Sequence, residues 1–300
     1  MKKSLLVILA LVLLPVLWYF LIKPFDYTIR VKSTASVGTI NQSLKSWGNR
    51  LLQNSTVEQQ ESLNHLIQNI TTPEHTYSYD WNLNSKNDST TAIEIGIRSV
   101  ENSFINRLKM PFSDTAFEGE TKKTVLEFLA ILKNHQEQFK IEIKGKKTLA
   151  ASYCACVSLE SKQYQKAYKM MHNFPLLNTV LEQNNIPLNG VPFIAVSDWD
   201  SETDTIVYHF CYPIIKTPAL PFIKNIVYRE FEGGEGIQAT YNGNYITSDR
   251  AWYALLDYAE KENIEVAAKP IEFFFNNPNM GGDELRWKAD IFMPLASTNE

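Results

Sequence analysis

The chain has 300 residues, 44% of them hydrophobic and 21% charged, with a net charge of −4 and an isoelectric point near 5.8. That balance excludes a disordered chain and leaves no basic footprint for nucleic acid. Three cysteines cannot close a disulfide framework, so the fold has to rest on apolar cores, and the length suggests two domains.

After Met1-Lys2-Lys3, the run from Ser4 to Ile22 contains no charged residue. Its nineteen residues, at about 1.5 Å each, nearly match the ~30 Å of a bilayer's hydrocarbon core. The run exceeds a signal-peptide core and ends in Trp18-Tyr19-Phe20, aromatic residues suited to an interface. It predicts an uncleaved transmembrane signal anchor over residues 1–25, with residues 4–22 in the membrane. The short dilysine tail predicts a single pass through a bacterial inner membrane, with the body on the periplasmic side.

Residues 26–143 form the first block. Tyr27, Ile29 and Val31 alternate as in a half-buried strand, and Ile40, Leu44, Trp47, Leu51 and Leu52 recur at helical spacing. A Gln/Asn/Ser-rich connection follows, then strands at 77–81 and 92–97. The block closes with an amphipathic helix over 121–139, where Val125, Phe128, Leu129 and Leu132 share a face. An early strand, a helix near a Trp and a closing helix resemble a reduced START-like (SRPBCC, polyketide-cyclase-like) domain. The alternative is an unrelated small α+β spacer. The charged stretch Ile143-Lys144-Gly145-Lys146-Lys147 reads as the linker.

The second block, 147–296, contains a repeat. Ile186 to Ile194 is echoed by Ile264 to Glu272 at an offset of 78 positions. Each copy follows extended sequence and a helix, and precedes a polar turn and a return strand ending in Pro213 or Pro294. Two such β-α-β-β units can pair across a pseudo-twofold axis with a cleft at the seam. The expected fold is therefore α+β throughout: transmembrane helix, small START-like domain, then a duplicated domain with a pocket between its halves.

Within the second copy, Pro270-Ile271-Glu272-Phe273-Phe274-Phe275-Asn276-Asn277-Pro278 reads as a strand carrying one carboxylate among large apolar residues. Period-two alternation puts Phe274 on the face of Glu272, with Ile271, Phe273 and Phe275 opposite. Gly190-Val191-Pro192-Phe193 and Pro213-Ile214 in the first copy are similar to a GyrI-like effector-binding domain of bacterial transcription regulators. So are Tyr241 to Tyr245, Pro270 to Phe274, Asn277-Pro278 and Trp287 to Leu295 in the second. The chain departs from that family in Asn244 for a Pro, Phe274 for a Tyr and Asn277 for an Asp. The resemblance implies that Glu272 faces a central pocket, where a carboxylate among aromatics recognises a lipophilic cation. Phe274, Tyr208, Phe210, Tyr212, Trp199, Trp252 and Trp287 are the candidate walls, with core packing as the plain alternative for each.

Other signals are discarded. The histidines are scattered and Cys154, Cys156 and Cys211 read as buried thiols, so no metal site and no cofactor is expected. Gly233-Gly234-Glu235-Gly236 lacks the residues of a phosphate loop and reads as a hairpin between strands near Tyr228 and Ile237. No helix-turn-helix precedes the second block. Three readings follow: a membrane-anchored protein binding a hydrophobic ligand that can be cationic, without nucleic acid; a hydrolase of small strained electrophiles, which the resemblance implies through stand-alone relatives, with Glu272 as base and Tyr212, Tyr208 or Tyr245 as partner in place of the family Tyr at Phe274; or a structural protein with a filled cleft.

Overall fold

The computed structural model describes residues 11, 13–51, 54–87, 90–218 and 220–296, in two compact units, Met1–Lys133 and Asn134–Glu300. The first unit runs β1 (Tyr27–Ser33), α1 (Val37–Gly48), β2 (Asn54–Gln59), β3 (His65–Thr71), β4 (Thr76–Asn87), β5 (Thr90–Ser99), α2 (Ser103–Lys109) and α3 (Ala116–Glu137). Its antiparallel sheet has the order β1-β5-β4-β3-β2. Ser36 caps α1 by accepting from the Thr39 amide. Trp47 of α1 and Phe128 of α3 then meet over Trp81 of β4, with ring centroids 5.3 and 5.1 Å from Phe128. The Gln/Asn/Ser-rich connection holds two strands, β2 and β3. A buried Gln68 interrupts the apolar face of β3, and Trp81 Nε1 donates to its side-chain oxygen at 3.2 Å.

The expected membrane anchor is corrected here. Among the described residues no helix is long and apolar enough to cross a membrane, so neither the transmembrane helix nor the single-pass inner-membrane placement is supported. Residues 1–10 and 12 of that run lie outside the described residues. Its described end turns as a π-helix over Trp18–Ile22 and packs on α2 of the first unit. Arg107 donates to the carbonyls of Tyr19 at 3.0 Å and Phe20 at 3.4 Å, and Phe20 lies 5.2 Å from Phe104. The same arginine pairs with buried Asp26 at 2.7 Å. Asp26 also accepts from the Ser99 amide at 2.9 Å and from the Ser103 hydroxyl.

The second unit is one sheet of eight strands in the order β10-β7-β9-β8-β12-β13-β11-β6. Its chain order is β6 (Phe139–Leu149), β7 (Ser152–Lys162), α4 (Lys166–Gln183), β8 (Phe193–Asp200), β9 (Thr205–Pro213), β10 (Val227–Phe231), β11 (Gly234–Gly243), α5 (Arg250–Lys261), β12 (Ile271–Phe274) and β13 (Lys288–Pro294). Phe231 pairs with Ser152, and Gly234 with Leu149. The register thus runs unbroken through Ala150-Ala151 and Glu232-Gly233, which are bends in two long strands. A flat eight-stranded sheet would be roughly 34 Å wide, more than a two-residue connection spans, so the sheet curls until its ends meet at these bends. Gly233, at φ 72°, makes the bend possible, because a Cβ there would lie 2.4 Å from the Leu149 carbonyl.

The two halves repeat in detail. Asn185 and Asn263, 78 positions apart, both take the left-handed conformation just past their helices, at φ 49° and 54°. The next amides reach back alike, Ile186 to the Leu181 carbonyl at 2.9 Å and Ile264 to the Ala259 carbonyl at 2.8 Å, the Schellman closure. Both helices cover the same sheet face, with Met170, Leu177 and Leu181 of α4 and Trp252 and Leu255 of α5 in its core.

Three expectations change in this unit. Ile143–Lys147, read as a linker, lies in β6 at the sheet edge, where Lys144, Lys146 and Lys147 guard an unpaired strand side. Gly233-Gly234 joins no hairpin, since β10 pairs with β7 while β11 pairs with β13 and β6. Cys156 of β7 and Cys211 of β9 stand directly opposite and form a disulfide, while Cys154 is free and buried.

Replacing Arg107 by Met leaves the Asp26 carboxylate buried without its counter-ion. The expected cost to the first unit is about 3–5 kcal/mol, read as accelerated hydrogen exchange of the Ser99 amide. Unchanged exchange there would show that the pair does not hold this end of the sheet.

Candidate functional site

Strand register places Glu272 in a single row across the curled sheet. From β7 to β6 the row reads Val157, Phe210, Ile194, Glu272, Ile291, Ala239 and Ile143. One carboxylate thus stands among six apolar residues, on the face the helices cover. Glu272 is 0% exposed. The opposite face carries Ile271 and Phe273 against Phe193 and the disulfide, so the alternation expected for this strand is the one observed.

Partners for the carboxylate come from the starts of the two helices. A single 3-10 turn precedes each helix, Gln163–Gln165 before α4 and Tyr245–Thr247 before α5. Lys166 and Ser248 lie 82 positions apart, the same offset as Ser152 and Gly234, which open β7 and β11. They are counterparts in the repeat, and they meet at the seam with Lys166 Nζ 2.9 Å from Ser248 Oγ. Ser248 donates to Glu272 Oε2 at 2.7 Å and Trp252 Nε1 donates to Oε1 at 2.5 Å. Lys166 Nζ lies 3.7 Å from Oε1, donates to the Tyr245 carbonyl at 3.0 Å, and sits 5.6 Å from the centre of the Trp252 ring. Burial pushes the Glu272 carboxyl above its usual range, while Lys166 and the hydrogen bonds from Ser248 and Trp252 pull it back down.

A second polar group lies beside the first. Gln163 donates to Asp249 Oδ2 at 2.5 Å and to the Tyr253 hydroxyl at 3.0 Å, and accepts from Trp199 Nε1 at 3.0 Å. Arg250 Nη1 meets Asp249 Oδ2 at 2.9 Å. Asp249 Oδ1 is buried with no hydrogen-bond partner among the described residues.

The aromatic residues singled out from the sequence divide by position. Trp252 touches Glu272 directly, Phe210 shares its row, and Tyr208 donates to the Lys166 carbonyl at 3.2 Å. Trp199 packs 5.1 Å from Trp252 and is the least buried of the set. Phe274 and Trp287 reach the group through Tyr245, whose ring is 4.9 and 5.7 Å from theirs. Tyr212 lies farther along β9, against Phe174 at 6.2 Å, and is not among the donors to Glu272. Burial pushes the hydroxyls of Tyr208, Tyr212 and Tyr245 up to about 12.

Sequence reasoning missed Lys166, Ser248, Gln163 and Asp249. Lys166 opens an amphipathic helix, where a lysine reads as solvent-facing. The repeat offset of 78 read from the sequence pairs it with Asn244, and the offset of 82 that pairs it with Ser248 emerges only from the strand positions. Among the described residues no group of His, Cys, Asp and Glu could hold a metal ion. The first unit has two open hollows of about 740 and 610 Å³ that share Glu74, His75, Tyr77 and Glu120. None of the site residues expected from the sequence lines them.

Removing the lysine alone strands a buried acid. Lys166→Met should destabilise the second unit by about 3–5 kcal/mol, whereas Lys166→Met with Glu272→Leu should be near neutral. Chemical denaturation checks both, and equal costs would mean that the charges are not coupled. Because the folded carboxyl holds its proton more tightly than the unfolded one, its contribution is full below about pH 4.5 and is lost as pH rises through the folded value. Stability measured against pH should show that loss in the native chain and not in Glu272→Gln.

A family model described as GyrI-like small molecule binding domain matches residues 147–296. The START-like likeness of residues 26–143 has no such support. No curated protein matches the chain. Among solved structures, the C-terminal domain of EcmrR is 12% identical, covering 53% of this chain and 98% of its own, with a TM-score of 0.44. A hydrolase from Listeria innocua is 13% identical over 55% of this chain and 98% of its own, with a TM-score of 0.34. SAV2435 bound to tetraphenylphosphonium is 10% identical over 52% and 94%, with a TM-score of 0.35. These scores carry no functional argument. The family model spans half of the sequence and covers both repeats and the seam between them, and the chain belongs to the GyrI-like small-molecule-binding family.

Proposed function

We propose that the second unit binds a hydrophobic small molecule, cationic in its best-held form, at the seam between its two halves. Glu272 supplies the charge, and Trp199, Trp252, Tyr208, Phe210, Phe274, Tyr212 and Trp287 supply the walls. The observation that carries this reading is the lone carboxylate in an apolar row, wholly buried beneath both helices. A core needs no such group, and burying one is costly. A desolvated organic cation gains both from a carboxylate and from indole and phenol faces around it. Glu272, Lys166, Ser248 and Trp252 are all buried, and part-exposed Trp199 is the wall whose movement would admit a ligand. The net charge of −4 favours a module that holds its ligand without engaging nucleic acid. For the first unit we extend the proposal to a START-like lineage, on its strand-helix-four-strand-helix-helix order with the long α3 last.

Calorimetric titration of the whole chain with benzyltrimethylammonium tests the reading. Glu272→Gln should weaken binding tenfold or more, a loss of at least about 1.4 kcal/mol. Equal affinity in the two proteins would remove Glu272 from the site.

A further inference from the structure

The groups that would receive an organic cation at the seam already hold one. Lys166 Nζ is flanked by the Tyr245 carbonyl at 3.0 Å, Ser248 Oγ at 2.9 Å, Glu272 Oε1 at 3.7 Å and the Trp252 ring at 5.6 Å. A carboxylate beside an indole face is the arrangement a ligand cation needs. Lys166 is 1% exposed, and its ammonium has no water to fall back on where it lies.

Two features make this lysine a removable occupant and not a fixed part of the core. It is the first residue of α4, where the positive end of the helix dipole opposes a cation, so Glu272 works against the local field to keep it there. Its stem is long and flexible, and nearby Tyr164 and Tyr168 are 57% and 71% exposed. The start of the helix therefore lies at the surface, within reach of solvent once the side chain rotates.

Charge balance then decides what a cationic ligand does on entry. Arg250 is already engaged with Asp249, so Glu272 is the counter-charge at this position. It cannot neutralise two buried cations, and their mutual repulsion is strong in so apolar a place. We propose that Lys166 is a tethered stand-in for the ligand's cationic head, that ligand binding exchanges one for the other, and that Lys166 thereby sets which cations the seam accepts. Cations of low hydration and large apolar area displace it. Small, strongly hydrated amines do not. This inference rests on the seam reading above and adds the displaced group to it.

The test uses the whole chain and benzyltrimethylammonium, which carries no reactive amine. In calorimetric titration Lys166→Met should bind at least tenfold more tightly than the native chain, and Glu272→Gln should bind more weakly than either. In the native chain, acetylation of Lys166 by an N-hydroxysuccinimide ester, read by peptide mass spectrometry, should be slow without the cation and rise at least fivefold at saturation. That measurement stands even if Lys166→Met fails to fold. If Lys166→Met gains nothing while Glu272→Gln still loses affinity, the seam binds cations and Lys166 is structural, which overturns the exchange. Lys166 remaining protected at saturation overturns it as well. Native affinity in Glu272→Gln overturns the seam reading itself.

Discussion

The second unit is built around a buried ion pair that neither half could form alone. Lys166 comes from the start of α4 in the first half, and Glu272 from the central strand of the second. Taking both charges out of water costs several kcal/mol per ion before their attraction is counted. The pair persists because Ser248 and Trp252 donate hydrogen bonds to the carboxylate and the Tyr245 carbonyl accepts one from the lysine. The seam is therefore polar at its centre, with the Gln163–Asp249 group beside it, within a largely apolar core. A site of that kind discriminates by charge as well as by shape.

Duplication explains how the pair came to be central. β8 and β12 hydrogen-bond to each other in the middle of the sheet, and Glu272 lies directly opposite Ile194, its counterpart 78 positions earlier. Symmetry would put the same residue twice at this point. The chain has one acid and one isoleucine, so a single carboxylate faces the axis and two like charges never meet. Lys166 and Ser248 break the symmetry in the same sense, one donating only and the other both donating and accepting.

Much of this unit was legible in the sequence, because period-two alternation and the 78-residue echo both follow from local geometry. The face of Glu272, the helix positions and the duplicated order all came from that. The register of the long bent strands was not legible, since nothing in Ala150-Ala151 or Glu232-Gly233 distinguishes a bend from a turn. The occupant of the seam was hidden for a different reason. A lysine at a helix start looks solvated until tertiary packing brings an acid to it. In the first unit, the buried Gln68 breaks the apolar rhythm of β3, and β2 is mostly polar along its length, so neither carries a strand signal. Length, hydropathy and the aromatic end of the run at Trp18-Tyr19-Phe20 all fit an anchor, and none of them shows Arg107 donating to its last turn.

The unbroken register through the two bends has a consequence for how this fold can drift. β6 and β7 behave as one ribbon, paired on both sides of the bend with β10 and β11, so the length of the bend fixes which side chains of β7 face the helices. Gaining or losing one residue at Ala150-Ala151, with nothing else changed, would shift β7 one place against its neighbours and turn Cys156 to the helices and Val157 to the far side. An odd change of length there needs a compensating bulge, so the connection is held to its length by the face that Cys156 must keep to meet Cys211.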